Sequence, residues 1–368
     1  MNDVAATPAP VSAPALRELP IEFRGTGGEY FRIWIVNLLL TIVTLGIYSA
    51  WAKVRRLRYF YGSTSLDGSS FEYHGRPVAI LKGRLIVFGV YLVFVALGYL
   101  WPKAQLVAAL LVIAGLPWII VRSRLFQMRM TSWRGLRFNF HGRYGGALLN
   151  FIVFPLLSLL TLMGLWPYAQ WRQVSYFATN TAYGAQRFGF TTTVGTYYRI
   201  FLVLVGMSFL GFLVGVGGVA MLVGLVIGVT AAAGGGGPED MAAVAGAAMA
   251  MSLSIAVTVV LVTMLLQAYY RAHFLNASVG GVNVGPHRLN SRLRTMPLLG
   301  ILLTNLLGMV FTLGLFYPWA KIRLLRYQLA NTSVTVEGDL GQFVADAAAD
   351  ASALGEEAGD FLDIDFGI

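Results

Sequence analysis

Asparagine, threonine and arginine recur in matching places along this chain, and their types and spacing set out the chemistry it can carry. Asn37 and Asn305 occupy equivalent positions in two related apolar segments, and Thr44 and Thr312 follow them at the same interval. A third segment holds Asn150 and Thr161, with Asn150 one helical turn out of that register. Carboxamides and hydroxyls at matching places could line a polar path; the competing role is hydrogen bonding between packed helices. Arg55, Arg58, Arg323 and Arg326 trail the first and last of these segments. Such arginines could hold an anion or a lipid headgroup, against the plainer role of setting orientation in a bilayer.

Other chemistries are excluded by what is missing. No Asp or Glu occurs between Glu72 and Glu239, and none between Asp240 and Glu337. An acid-based proton relay, paired-carboxylate hydrolysis and a carboxylate metal site all lack their groups. There is no Cys, and His74, His141, His273 and His287 are scattered without ligand spacing. The expectation is therefore a protein that is not an enzyme and has no catalytic residue, cofactor or metal. Gly211-x-x-x-Gly215 and Gly224-x-x-x-Gly228 are helix-packing signals; they lack the charged residues of a phosphate loop.

The elements that must position these residues are apolar. Of 368 residues, 57% are hydrophobic and only 12% charged, with a mean hydropathy of +0.68, the balance of a membrane protein. Apolar segments run over about 33–51, 85–101, 104–121, 147–169, 199–230, 248–270 and 297–320. All 27 bases lie at or before Arg326, against 8 acids up to residue 336; nine acids and no base follow from Glu337. A basic body of this kind reads as loops held against anionic lipid headgroups, not as a nucleic-acid surface.

The bases also choose between two topologies. If all seven segments cross, 11 bases face outside and 16 inside; if the first, fourth and seventh enter and return, only Lys103 is outside. The second arrangement is expected, with four crossings in two hairpins, three re-entrant elements and the C-terminus inside. Seven plain crossings remain the alternative.

A cassette repeats along the chain. Its clearest copies are Thr44-Leu45-Gly46-Ile47-Tyr48-Ser49-Ala50-Trp51-Ala52-Lys53-Val54-Arg55 and Thr312-Leu313-Gly314-Leu315-Phe316-Tyr317-Pro318-Trp319-Ala320-Lys321-Ile322-Arg323. After each basic extension comes a Gly-containing turn and a short alternating stretch: Phe71-Glu72-Tyr73, Phe138-Asn139-Phe140, Phe188-Gly189-Phe190, Val282-Asn283-Val284. Period-two alternation of this kind predicts small β-hairpins. The expected fold class is a polytopic α-helical membrane protein built from internal repeats, with short β-hairpins on the cytosolic face that could pair into a layer.

The Thr-Leu-Gly and Trp-Ala-Lys-x-Arg combination, with the trailing Asn331-Thr332, resembles the YjgN-like family of bacterial inner-membrane proteins over roughly residues 21–335. That resemblance implies a multi-pass protein of the inner membrane and carries over no activity. The middle copy departs from it, reading Pro167-Tyr168-Ala169-Gln170 where the lysine would stand. Flanking the membrane domain at 21–340, residues 1–20 and the acidic 341–368 are expected to be disordered tails. The expected function is channel- or carrier-like transport of a neutral or anionic small solute or a lipid. The alternative is a membrane scaffold offering a β-layer and its acidic tail to a protein partner. Anionic lipids are the expected partners, nucleic acid is not, and an oligomer is compatible with this reading.

Overall fold

The computed structural model describes residues 16–232 and 237–361. Its organising feature is a closed, antiparallel β-barrel of ten strands in the order β1-β10-β9-β8-β7-β6-β5-β4-β3-β2. The strands are β1 (Leu16–Phe23), β2 (Thr64–Leu66), β3 (Ser69–Tyr73), β4 (Thr131–Trp133), β5 (Leu136–Phe140), β6 (Thr181–Tyr183), β7 (Gln186–Phe190), β8 (Val282–Val284), β9 (His287–Ser291) and β10 (Thr332–Glu337).

This corrects the expected fold class: the molecule is not a helical polytopic protein carrying short hairpins, but a barrel with helices standing on it. The reason lies in the edges. A lone hairpin leaves backbone groups unpaired on both sides and is marginal in water. Here the second strand of each hairpin pairs with the first strand of the next, as in Phe71↔Trp133, Phe138↔Tyr183 and Phe188↔Val284. A fifth pair, β1 with β10, joins strands from opposite ends of the described chain. Leu16 to Pro20 of β1 pair with β10, and Ile21 to Phe23 pair with β2. Pro20, without an N–H, stands where the strand changes partner. Residues 16–20, expected to lie in a disordered tail, thus close the barrel.

Alternation along the strands places Leu19, Leu66, Trp133, Tyr183, Val334 and Val336 in one buried cluster, with Phe71, Phe138, Phe188 and Leu289 against it. Full burial of side chains of this size contributes about 1.5–3 kcal/mol each. Burial also pushes the Tyr183 hydroxyl up to about 12, and it donates to the Trp133 carbonyl at 2.9 Å.

Among the described residues, eleven helices stand on the strands. They are α1 (Gly27–Val43), α2 (Ser49–Gly62), α3 (Pro77–Leu100), α4 (Pro102–Arg129), α5 (Tyr144–Leu148), α6 (Phe154–Leu160), α7 (Trp166–Thr179), α8 (Val194–Ala232), α9 (Pro238–Val279), α10 (Thr295–Phe311) and α11 (Tyr317–Ala330). A π-helical turn, Leu149–Val153, joins α5 to α6. Packing runs from α1 to α2, α3, α4 and α5, through the π turn and α6 to α7, then α8, α9, α10 and α11, and back to α1. The helices form a closed ring. At its seam Phe31 meets Trp319 with ring centroids 5.0 Å apart, and Trp34 meets Tyr317 at 6.0 Å. Because each second helix runs directly into a strand, the ring and the barrel share an axis.

Among the described residues, four helices have the length and apolarity to cross a bilayer: Pro77–Leu100, Lys103–Arg129, Val194–Gly228 and Ala242–Val279. They extend beyond the apolar segments because the basic stretches continue them as helix.

The acidic end also departs from expectation. Of the segment 341–368 expected to be a disordered tail, the part up to residue 361 belongs to α12 (Leu340–Phe361), which begins three residues after β10, and 362–368 lie outside the described residues. Its Leu340, Phe343, Val344 and Ala347 pack into the same cluster as Leu19, Leu66, Trp133 and Tyr183. The first turns of this helix, 340–347, reach residues from so many strands only from inside the barrel's mouth. Phe343 lies on His287, with ring centroids 4.4 Å apart, while Asp346 and Asp350 face solvent.

Gly184 sits where a hairpin turn meets this helix, at φ +56°, and a Cβ there would stand 2.5 Å from the Ala347 carbonyl oxygen. Gly68 has φ +74° with nothing near it. Gly68→Ala should therefore cost only the left-handed strain, about 1 kcal/mol. Gly184→Ala should in addition push α12 out of the mouth. Limited proteolysis checks this: cleavage within 340–351 should accelerate for Gly184→Ala and not for Gly68→Ala.

Candidate functional site

Three helix pairs turn back on themselves: α1 with α2, α5–α6 with α7, and α10 with α11. Each first helix ends at one of the threonines. Thr44 Oγ1 donates to the Leu40 carbonyl at 2.6 Å and accepts from the Tyr48 N–H at 2.9 Å. Thr312 does the same with Gly308 and Phe316, and Thr161 with Leu157 and Leu165. The next two residues take left-handed backbone: Leu45 and Gly46, Leu162 and Met163, Leu313 and Gly314. The second of each pair donates its N–H five residues back, to Thr41, Ser158 or Met309. This is the hydrogen-bonded stop of a Schellman-type helix end. The Thr-Leu-Gly signature is thus a helix terminator, and its hydroxyl is committed to the turn rather than to a polar lining. Leu45, Leu162 and Leu313 at the tips are more than nine-tenths exposed.

The buried asparagines hold each pair together. Asn305 Oδ1 accepts from Arg323 at 3.1 Å, and its Nδ2 donates to the Ala320 carbonyl at 3.2 Å. Asn150 Oδ1 accepts from Arg172 Nε at 3.1 Å, and its Nδ2 donates to the Gly146 carbonyl. The π turn carries Asn150 into contact with its arginine from a different register. In the first pair the lock is open: Asn37 is buried, yet its Oδ1 has no partner among the described residues, and Arg55 is exposed.

The structure therefore does not gather the four expected arginines into one anion contact. Arg323 binds Asn305 and Thr304, Arg326 donates to the Gly25 carbonyl, and Arg58 lies near Tyr73.

Five other cations stand on these helices. Lys53 and Arg56 stand on α2, Arg84 on α3, Arg271 on α9 and Lys321 on α11. From their places in these helices they lie about 9–14 Å from the helix ends that adjoin the strands, at 1.5 Å per residue. Arg84 donates to Ser49 Oγ, one turn before Lys53. Lys321 has its pKa lowered first by desolvation, then by Arg56 and Arg271. Lys53 is lowered by desolvation, then by Arg84 and Arg56. Yet α1 separates α11 from α2, and α10 separates it from α9. All five are exposed.

No carboxylate answers these charges among the described residues. The ion pairs there lie on the barrel and its turns: Arg17–Asp67, Arg24–Glu22, His74–Glu72, Arg134–Asp67 and Arg292–Glu18. Sequence reading passed over Lys53 and Lys321 in favour of the neighbouring arginines. The available signal was the shared Trp-Ala-Lys context of the two lysines, in a stretch of chain without acids. A separate cavity of about 540 Å³ between α7, α8 and α9 is mostly apolar, lined by Trp166, Tyr197, Phe201, Leu204, Tyr270 and Phe274.

Apolar helices of spanning length, standing in a closed ring on a plugged barrel, define an integral membrane protein. The chain belongs to the family described as bacterial protein of unknown function (DUF898), whose model matches residues 18–361, and it is YjgN-like. It is 29% identical over 361 residues to the "Inner membrane protein YjgN" of Salmonella typhimurium, covering 86% of this chain and 88% of that protein. To the protein of the same name in Escherichia coli K12 it is 36% identical over 125 residues, 32% of this chain and 30% of that one. No solved structure matches.

The asparagine locks can be measured. A double-mutant cycle on Asn305→Ala and Arg323→Ala, read by unfolding in micelles, should give a coupling of roughly 1 kcal/mol. The same cycle on Asn37 and Arg55 should give a coupling near zero. Equal couplings would contradict the open first pair.

Proposed function

We propose that this protein is a conduit in the inner membrane for a small anionic solute, crossing through α3, α4, α8 and α9 with the barrel on the cytoplasmic side. The three turned-back pairs dip their exposed leucine tips into the inner leaflet and return. The observation that carries this reading is the shared axis of a closed helix ring and a closed barrel, with α12 seated in the far mouth. The excess of bases over acids in the helices favours an anionic solute over a neutral one. Turned-back helices of this kind are tolerated at membrane depth where they are covered by protein or border water.

Orientation is tested first. The chain has no Cys, so single cysteines can be placed at Lys103, between α3 and α4, and at Arg187, exposed on the barrel. A membrane-impermeant thiol reagent on intact cells should label the first and not the second. Labelling of Arg187→Cys from outside would overturn the orientation.

Conduction is tested in liposomes. Anion flux should be low for the full chain and rise at least severalfold when the chain is ended after Glu337. Absence of flux from both proteins, correctly inserted, would refute the conduit.

A further inference from the structure

We propose that His287 is an acid-released latch for α12: protonation of its ring unfastens the helix from the mouth of the barrel. The latch needs only the fold; that its release opens a path rests on the conduit reading.

His287 begins β9 and is 3% exposed. It touches both ends of the short linker that leads into α12. At one end, where β10 stops, its Nδ1 accepts from the Glu337 N–H at 3.3 Å. At the other, its ring meets Phe343 of the first helical turn edge to face, with centroids 4.4 Å apart. Phe343 also covers the β8–β9 turn, where a Cβ on Gly285 would stand 3.1 Å from its ring. It stacks on Tyr183 as well, with centroids 6.5 Å apart. Between the two contacts lies Gly338, in left-handed backbone at φ +80° with nothing near it. Glycine holds that backbone without strain, so the linker has a pivot.

These contacts set the protonation state. Because Nδ1 accepts, the neutral ring carries its proton on Nε2. Nε2 is buried and has no hydrogen-bond partner among the described residues. A second proton can go only to Nδ1. It would set one donor against another at Glu337 and leave a charged ring beneath Phe343 with no acceptor. With α12 out of the mouth, water can solvate the ring.

The charges around His287 do not reverse this. On β8 there is none, Arg288 is exposed on the opposite side of β9, and Asp339 and Asp346, before and within α12, are exposed. Tyr183, beyond Phe343, stays neutral because burial pushes its hydroxyl up to about 12. Burial holds the His287 pKa below its usual value, and the Glu337 carboxylate, which acts to raise it, does not offset this. The seated helix therefore favours neutral His287. Seating is strongest above the ordinary histidine value of about 6.5 and weakens as the pH falls below it. The loss is at most about tenfold per pH unit and ends once the pKa of the seated state is passed.

The test uses the full chain in neutral-detergent micelles, with nitroxide labels on Asp346→Cys and Arg187→Cys, both at exposed positions. Pulsed dipolar spectroscopy reads the seated fraction of α12 between pH 8 and pH 5. The seated form should dominate at pH 8, and the released-to-seated ratio should rise roughly fivefold or more by pH 5. His287→Gln, whose side-chain oxygen can still accept from Glu337, should stay seated throughout. His141→Gln, altered at an exposed histidine, should respond as the native protein does. Equal seating of the native protein at both pH values overturns the latch, and so does an undiminished response in His287→Gln. If His287→Gln does not fold, histidine NMR of the native chain and of Phe343→Ala supplies the comparison. The His287 pKa should rise toward its usual value in Phe343→Ala, and an unchanged value overturns the latch. No flux enters these readouts. Acid release without conduction leaves the latch and removes the conduit; conduction by the shortened chain without acid release does the reverse.

Discussion

Everything in this molecule depends on backbone pairing between the two ends of its sequence. Without β1 lying between β10 and β2, the sheet would present two open edges, and four hairpins would hang from separate helix pairs. With it, each helix pair is fixed around one axis, because each second helix continues into a barrel strand. The register is held by the inward set of Leu19, Ile21, Val334 and Val336; a one-residue slip would turn these side chains out to water. Closure is a long-range contact, so its loop entropy must be met before the last strand pair contributes. The aromatic seam of Phe31, Trp34, Tyr317 and Trp319 sits at the same junction in the helix layer. Two independent contacts therefore secure one joint.

The turned-back helices follow from chemistry at single residues. A helix that stops in an apolar environment leaves carbonyl and amide groups without partners. Thr44, Thr161 and Thr312 supply one acceptor at each stop, and left-handed backbone at the next two residues supplies the rest. Gly46 and Gly314 adopt that backbone freely; Met163 adopts it against its side chain. The returning helix is then locked by an asparagine at Arg172 and at Arg323. Polar residues that could have lined a path are instead consumed in making the path's walls.

Local elements were readable from the chain because they answer to local rules. Alternation after Gly68 and Gly135 marked strands, and apolar length marked the four long helices. Closure was not readable, because β1 carries Glu18, Pro20 and Glu22 and resembles a polar tail until its partners are known. The C-terminal segment was hidden for a similar reason. Leu340, Phe343, Val344 and Ala347 make a narrow apolar stripe among acids, and composition averages it away. Arginines at the repeated position drew attention from the lysines beside them, since sequence shows how often a charge recurs and not whether a neighbour already holds it.

The acids of α12 are remote from the helix layer. Asp346 and Asp350 lie on α12 at the far mouth, beyond strands of five to eight residues in β1, β3 and β10. At about 3.3 Å per residue these strands span roughly 17–26 Å. Adding the height of the cations above the strands takes the separation well past the screening length of about 8 Å at physiological salt. Charge is therefore uneven along the molecule: bases predominate on the helices and acids on α12, with an apolar barrel core between.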